Sequence, residues 1–393
     1  MPWQVTPAGV TCKGISLQTS NGVKIPATKP YFSEEDIAFI TEKFREILQG
    51  KSFLSNGQYV AQFEKEFAVF IGTKFAVACN SGTSALELIC RALDISGKEV
   101  ILPSNTFMAT ANAILNAGGI PVFADCGENM CLDESDVLKK ITSNTIAVMQ
   151  VHIGGIVSES TLKLKKICDD RKLYFIEDAA QAHGSSLKNI KAGAFGVAAG
   201  FSFFSTKVMT TGEGGMVTTN DEMLVEKMKA MREFGKVKQD IYINYHKYMG
   251  YNWRMPEVAA LLGLRQLASL GNFIKRRNEI AKIYDQELKE VSSIKIIKPE
   301  ADSIHNYFKY IIILKDHDRR TVHKELEARG IQPSGYVYEL PLHKQPVFPL
   351  ANDLKLPTTE YVSAHHFCLP IFYGMADEDV KFVAQSLREI LKN

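Results

Sequence analysis

Residues 201–220 read FSFFSTKVMTTGEGGMVTTN and carry the strongest signal in the chain. Lys207 stands alone between the apolar, strand-like run FSFF and a Gly-Glu-Gly-Gly turn. Before that run, a second strand-like stretch, LYFIED, ends in the acidic pair Glu177-Asp178. The chain therefore combines a carboxylate that closes one predicted strand with a lysine just beyond the next.

These two residue types are what pyridoxal 5′-phosphate (PLP) chemistry requires. A lysine amine forms a Schiff base with the cofactor aldehyde, and a carboxylate keeps the pyridine nitrogen protonated, so that the ring can act as an electron sink. The apolar approach to Lys207 and the turn behind it would confine the amine, and desolvation would lower its pKa. The alternatives are a solvated surface lysine and, for Asp178, a helix N-cap before AAQAHGS, which has a helical pattern.

A phosphate-binding helix start is predicted at SGTSAL, residues 81–86. Unpaired backbone N–H groups and the helix dipole favour an anion at such a position. Gly82 lets the backbone come close to a ligand, while Thr83 and Ser84 can add hydroxyl donors. Ser202 is a candidate for a further phosphate contact. An ordinary N-cap without a ligand is the alternative.

Four other side chains could surround a bound ring or anion. Phe107, in PSNTFMATANAI after a strand end, could stack on a planar ring or fill the core. Gln181 could reach the phenolic oxygen of a cofactor or make a structural hydrogen bond. Asn252 and Arg254, in the loop YNWRM, could meet an anion across a subunit interface; a loop held by local hydrogen bonds explains them equally well.

Apolar runs alternate with helical patterns through most of the chain. The pattern predicts a helix from Ser33 and strands at 74–78, 100–103, 121–125, 145–152 and 173–178. Runs of this kind, separated by helices, are typical of a parallel or mixed sheet covered on both faces. Later stretches, KYIIILK, RRTVHKELEARG and DEDVKFVAQSLREILKN, predict a smaller α+β part. We therefore expect an N-terminal extension at 1–30, a large domain at 31–270 and a small domain at 271–393.

The composition of the 393-residue chain narrows the class of protein. The 46 basic and 44 acidic residues give a formal net charge of +2 without a basic block, which argues against nucleic acid as a partner. We find no secretory signal pattern and no apolar run of membrane length. The seven cysteines are scattered without zinc-ligand spacing, so we expect reduced thiols, no metal and a cytoplasmic location.

Seven motifs, in the same order, resemble the DegT-type (DegT/DnrJ/EryC/StrS) PLP-dependent sugar aminotransferases. They read SGTSAL, PSNTFMATANAI, GGIPVFAD, FIEDAAQAHGS, FSFFSTK, GEGGMVTTND and GYNWRM, and the resemblance runs from about Lys29 to the C-terminus. It implies an α/β fold of the aspartate aminotransferase type (fold type I), with a mixed, mostly parallel seven-stranded sheet in the large domain. It also implies a homodimer with shared active sites.

The resemblance further implies a role for most of the candidate residues. Lys207 would be the Schiff-base lysine, Asp178 the partner of the pyridine nitrogen and Phe107 the stacking ring. The remaining cofactor contacts would be Gly82, Thr83, Ser84 and Ser202 at the phosphate, Gln181 beside the ring and Asn252 from the neighbouring subunit.

Two stretches, VHIGGIVSES at 151–160 and SGYVYELPLHKQPVFP at 334–349, differ from the commonest members of the family. We expect both to line the substrate pocket, with Tyr336, Tyr338 and His343 as substrate contacts or packed residues.

A branch of sugar dehydratases carries histidine in place of the lysine, so the lysine in this chain favours transamination. The predicted reaction moves an amino group from an amino acid, by analogy L-glutamate, to a keto-sugar linked to a nucleoside diphosphate. Another keto substrate, dehydration of a sugar or a non-catalytic regulator are the alternatives.

Overall fold

The computed structural model describes residues 24–237 and 243–392. Within these residues the helices are α1 (Glu34–Leu48), α2 (Gln58–Ile71), α3 (Gly82–Ala92), α4 (Met108–Asn116), α5 (Glu134–Lys140), α6 (Glu159–Arg171), α7 (Glu222–Arg232), α8 (Glu257–Leu288), α9 (Arg319–Ala328), α10 (Pro357–His365) and α11 (Asp377–Ile390). The strands are β1 (Phe75–Cys79), β2 (Glu99–Pro103), β3 (Ile120–Ala124), β4 (Thr145–Val151), β5 (Tyr174–Asp178), β6 (Ser186–Leu187), β7 (Ile190–Lys191), β8 (Ala198–Ser202), β9 (Gly215–Thr219), β10 (Lys236–Val237), β11 (Tyr245–His246), β12 (Ile294–Ile296), β13 (Ser303–Ile304), β14 (Tyr310–Leu314) and β15 (His366–Leu369).

The main sheet has seven strands in the order β1-β9-β8-β5-β4-β2-β3. The pairs from β8 to β3 are parallel, whereas β9 is antiparallel to both β8 and β1. The predicted fold class, an α/β protein with a mixed and mostly parallel seven-stranded sheet, is confirmed. Because six of these strands point the same way, their carboxyl ends meet along one edge, where ligands bind in such sheets.

Two apolar layers pack against the two faces of this sheet. Successive residues of a strand point to opposite faces, and on β4 Val148 joins one buried cluster while Ala147 and Met149 join the other. Helices α2 and α8 cover the first face, and α3 covers the second. Burial on both faces explains why the strands are apolar runs and not alternating patterns.

A buried carboxylate joins the two long helices of the first layer. The N-cap of α2 is Gly57, which offers no capping side chain. The carboxylate of Glu257, the first residue of α8, accepts the backbone N–H groups of Gly57, Tyr59 and Val60 at 2.8, 2.9 and 3.0 Å. Glu257 therefore caps α2 from another helix and satisfies donors that the helix itself cannot pair.

The C-terminal part contains a three-stranded antiparallel sheet, β12-β14-β15, with α9 and α11 packed against it. Helix α8 contributes to this core as well, through Ile280, Tyr284 and Leu288. The expected boundary at residue 270 falls inside α8, and the division into domains stays a prediction. The expected N-terminal extension lies largely outside the described residues.

One predicted element is wrong. Residues 179–185, expected to be helical after Asp178, form a series of turns. The Asp178 side chain accepts the N–H of Ala180 at 3.1 Å, which bends the chain two residues on. Gly184 then takes a φ of +72°, a left-handed conformation that a helix does not use.

No helix in the described residues is long and apolar enough to cross a membrane. The six cysteines in this part of the chain are free and buried. The same residues contain no group of His, Cys, Asp and Glu side chains that could hold a metal ion.

Candidate active site

A cavity of about 370 Å³ lies at the carboxyl edge of the main sheet. Its walls come from the ends of β5 and β8, the start of α3, the residues beside the start of α4 and the segment around residue 338. The lining residues are Ser81, Gly82, Thr83, Leu86, Phe107, Ala109, Asp178, Ala180, Gln181, Ser202, Phe204, Thr206, Lys207, Glu213 and Tyr338. The structure thus brings most of the predicted cofactor contacts together.

Lys207 follows β8 in a loop that is held by hydrogen bonds between its own residues. Its N–H donates to the Phe204 carbonyl at 2.9 Å, and the Thr210 hydroxyl donates to the Phe203 carbonyl at 2.9 Å. The Lys207 Nζ lies 4.8 Å from the centroid of the Phe308 ring. Burial lowers the pKa of Lys207 to about 8, although the Asp178 carboxylate acts in the opposite direction. A fixed amine of this kind is partly neutral at physiological pH and can act as a nucleophile.

Asp178 is the last residue of β5, and its carboxylate is buried. The Thr110 hydroxyl donates to its Oδ2 at 2.8 Å, and the Ala180 N–H donates to its Oδ1. Burial raises the pKa of Asp178, while the Thr110 hydrogen bond, the Ala180 N–H and the Lys207 charge favour the ionised form. A buried carboxylate in this position suits a cationic hydrogen-bond donor of a ligand.

Glu177, one residue earlier on β5, faces away from this cavity. Its carboxylate accepts the N–H groups of Gly193, Phe195 and Gly196 at 2.8 to 2.9 Å. It also lies 2.9 Å from Nε2 of the buried His152. The Glu177 carboxylate therefore stabilises the neighbouring loop at residues 193–196 through hydrogen bonds to its backbone.

The start of α3 forms another wall. Ser81 caps the helix by accepting the Ser84 N–H at 3.1 Å, and Gly82 follows as the first helical residue. A Cβ atom on Gly82 would lie 2.6 Å from the Ser202 Cβ, so only glycine lets the end of β8 come this close. Because Gly82 and Thr83 line the cavity at a helix N-terminus, this wall is suited to a phosphate group.

Two aromatic rings stand at the opposite side of the cavity. Phe107 is 61% exposed and lies 6.1 Å from Tyr338, with the rings 30° from parallel. The Gln181 Nε2 donates to the Tyr338 hydroxyl at 2.5 Å, and the Gln181 Oε1 accepts the Gly154 N–H at 2.7 Å. The cavity therefore combines an amine, a buried carboxylate, an anion-binding helix start and a ring with an open face.

This geometry agrees with the comparisons with known proteins. The model of the DegT/DnrJ/EryC1/StrS aminotransferase family matches residues 34–388. The chain belongs to this family. It is 35% identical over 342 residues to the GDP-perosamine synthase of Vibrio cholerae, covering 85% of this chain and 91% of that protein. It is 33% identical over 384 residues to the dTDP-4-dehydro-2,3,6-trideoxy-D-glucose 4-aminotransferase of Saccharopolyspora spinosa, covering 93% and 96%.

Solved structures agree with these relatives. The aminotransferase resembles Helicobacter pylori PseC, an aminotransferase involved in the biosynthesis of pseudoaminic acid, with a TM-score of 0.88 at 30% identity over 94% of this chain and 99% of that one. The predicted family, fold and sugar-aminotransferase activity are confirmed.

Five predicted contacts of the aminotransferase do not line the cavity: Ser84, Asn252, Arg254, Tyr336 and His343. Asn252 is exposed and pairs with Glu233, and Arg254 lies 3.8 Å from the same glutamate. Tyr336 packs under the Arg319 guanidinium at 4.3 Å. His343 is buried, with Nδ1 2.7 Å from the Ser104 hydroxyl and Nε2 3.2 Å from Glu360.

Two further polar side chains near the cavity are taken up by internal packing. The Ser84 hydroxyl donates to the Asn80 Oδ1 at 2.6 Å, so its own oxygen is turned inward. His183 packs against Phe201 and Phe203, and burial lowers its pKa to about 3.

Sequence reasoning missed Thr110 and Lys309. Thr110 lies on the first turn of α4 and bonds to Asp178, which is 68 residues away in the chain. Lys309 precedes β14 and lies close enough to Lys207 to affect its pKa. No local pattern marks either residue, because both reach the site through the packing of distant elements.

Proposed function

We propose that this aminotransferase uses PLP to transfer an amino group from L-glutamate to the keto group of a sugar linked to a nucleoside diphosphate. The observation that carries the proposal is the presence of the Lys207 amine and the buried Asp178 carboxylate in one cavity.

The residues of the cavity fit PLP. Lys207 Nζ would bond covalently to the aldehyde carbon with release of water, and the Asp178 carboxylate would accept a hydrogen bond from the protonated pyridine nitrogen and keep it protonated. Gly82, Thr83 and Ser202 would hold the phosphate at the helix start, where an added Cβ at position 82 would fill the space beside Ser202. When bound, PLP acts as an electron sink that acidifies the C–H bond next to the transferred nitrogen.

The chain itself would supply the proton transfers. The Lys207 Nζ, when it is not bonded to the cofactor, would remove a proton from the donor Cα, and in the second half-reaction it would deliver a proton to the sugar carbon that receives the nitrogen. A pKa of about 8 suits an amine that must both accept and release a proton near neutral pH. Thr110 would support this chemistry indirectly, by keeping the Asp178 carboxylate ionised and oriented.

Relatives with different nucleotides support the substrate class. At similar identity, one relative is named for a GDP-linked sugar and another for a dTDP-linked sugar. A nucleoside diphosphate sugar is therefore the shared chemistry that we propose for the acceptor. Tyr338 is the predicted substrate contact that lines the cavity, and we propose that it touches the sugar.

The absorption spectrum of the purified protein tests the cofactor and the donor. With PLP added, we expect a visible band that L-glutamate removes and that a keto-sugar nucleotide then restores. Lys207→Ala should hold PLP without a covalent bond, so that borohydride reduction adds no mass to the protein, and its turnover should fall by several orders of magnitude. Lys188→Ala, which changes a half-exposed lysine paired with Glu159, is the control. No band in the wild-type protein would refute the use of PLP.

We also propose a homodimer with shared active sites. The exposed apolar side chains Phe53 and Leu54 lie in the loop that pairs with Pro256, close to the exposed Asn252. A partner subunit that covered this surface would bury them and would bring its own Asn252 to the phosphate end of the cavity. The cytoplasmic location stays a prediction.

Light scattering after gel filtration tests the dimer. Leu54→Glu should give monomers with little transaminase activity, because a charge would enter the interface. Leu350→Glu, which changes a fully exposed leucine elsewhere, should stay dimeric. A dimer of unchanged stability in Leu54→Glu would mean that another surface joins the subunits.

A further inference from the structure

The Phe308 ring contacts two lysines. The Lys207 Nζ lies 4.8 Å from the ring centroid and the Lys309 Nζ lies 5.2 Å from it, so the two nitrogens are at most 10 Å apart. Phe308 is buried, and its ring keeps water out of this space. Two ammonium groups this close, in a poorly hydrated region, repel one another.

Lys309 is held in place without a counter-ion in the described part of the chain. Its Nζ donates to the Ser334 carbonyl at 3.1 Å, and its N–H lies 3.4 Å from the Gly154 carbonyl. The nearby Arg277 is buried and donates to the Tyr307 and Ile371 carbonyls. Neither cation is paired with a carboxylate among the described residues. Burial lowers the pKa of Lys309 from its ordinary value, and the Arg277 charge acts in the same direction.

Both negative and positive side chains lie around Lys207. The Asp178 carboxylate faces it from the end of β5, and Glu213 lines the same cavity from the turn before β9. Arg277 and Lys29 line a small cavity on the other side of Lys207. His183 is neutral, because burial lowers its pKa to about 3. Asp178 favours the charged amine, whereas burial and a nearby cation favour the neutral amine.

We propose that Lys309 is a positioning residue that raises the fraction of the Lys207 amine that is neutral, and so reactive toward a carbonyl carbon, near neutral pH. The proposal rests on the proposed function in one respect, that Lys207 is the reacting amine. Two unit charges about 10 Å apart at an effective dielectric constant near 20 change a proton affinity by about tenfold. In agreement, burial first and then the Lys309 charge lower the pKa of Lys207, against the effect of Asp178.

Competition labelling of the full-length protein tests the proposal. Lys207 is acetylated with trace acetic anhydride between pH 6 and 11, and its labelling is followed by mass spectrometry against an internal amine. We expect the wild-type midpoint near pH 8. In Lys309→Met it should move upward, so that the neutral fraction at pH 7.5 falls about tenfold. Lys309→Arg keeps the charge and should keep the midpoint.

Lys315→Met is the matched control. Lys315 stands just beyond the other end of β14 and, like Lys309, donates to a backbone carbonyl, that of Ser292 at 2.8 Å, but it is exposed and lies outside the contact with Phe308. The Lys315 variant should titrate like the wild type. Thermal unfolding of each variant identifies a fold defect, and Lys309→Gln serves as the second neutral variant if Lys309→Met is unstable.

Two results would overturn the proposal: an unchanged Lys207 midpoint in both neutral variants, or an equal shift in the Lys315 control. The outcome is separate from that of the proposed function. Lys207 could titrate near pH 8 and respond to Lys309 in a protein that forms no absorbance band with PLP. That result would support the interaction between the two lysines and refute the proposed use of PLP.

Discussion

The contact between Glu257 and the start of α2 gives a quantitative prediction of stability. Glu257→Ala leaves three backbone N–H groups without their acceptor, and those of Tyr59 and Val60 belong to buried residues. Hydrogen bonds to a charged group contribute about 1.5–3 kcal/mol each, and a buried donor without a partner costs about 1–3 kcal/mol. We expect the free energy of unfolding to fall by about 3–6 kcal/mol, with the Gly57 donor partly recovered by water.

Glu257→Gln separates charge from hydrogen bonding at the same position. The Glu257 Oε1 accepts the Gly57 and Val60 N–H groups, and an amide oxygen can keep both. The amide nitrogen would then face the Tyr59 N–H, donor against donor. We therefore expect a smaller loss, about 1–3 kcal/mol, from one broken bond and the lost charge.

Urea unfolding followed by circular dichroism measures these losses, with the protein concentration held constant. Glu279→Ala is the control, because Glu279 lies on the same helix in an exposed pair with Arg276 at 3.4 Å, and such pairs contribute less than about 1 kcal/mol. A free energy of unfolding of Glu257→Ala within about 1 kcal/mol of the wild-type value would contradict the capping role of Glu257. A glutamine variant less stable than the alanine variant would contradict it as well.

Two further predictions concern the cavity. In Gly82→Ala the new methyl group would lie 2.6 Å from the Ser202 Cβ, so equilibrium dialysis should find PLP bound at least about tenfold more weakly. Gly374→Ala is the control, because position 374 has open space around it and this variant should bind PLP like the wild type. In Thr110→Val the carboxylate of Asp178 loses a donor that lowers its pKa, so its pKa rises and the ionised form persists only at higher pH. The acid limb of the kcat/KM profile against pH should therefore move upward, and a limb that stays in place or moves downward would contradict the assignment of Asp178.

Much of the fold could be predicted, because the strands are buried on both faces. The strands at β2, β4 and β5 appear in the sequence as short apolar runs between helical stretches, and each was predicted within about two residues. Ser33, at which the pattern predicts the start of a helix, is the N-cap of α1. Helix α2 was not predicted, since Gly57 gives no capping signal and its acceptor, Glu257, lies 200 residues away.

The sequence also predicts only part of the candidate site. Lys207, Asp178, Gly82 and Phe107 lie at strand or helix ends, which the sequence marks, and the structure brings them to one cavity. His343 has an equally suggestive sequence context, but its side chain is buried against Ser104, which no local pattern indicates. The expected helix after Asp178 failed because a side-chain hydrogen bond to the backbone outcompeted the helical preference of alanine.

The adjacent carboxylates of Glu177 and Asp178 have a consequence for how this family can change during evolution. One serves the loop at Gly193–Gly196 and the other serves the cavity, and only the alternation of the strand separates the two tasks. Insertion or deletion of a single residue in β5 would exchange their directions and disable both at once. New substrate specificities should therefore arise by length changes in the surrounding loops, while the number of residues in β5 stays the same.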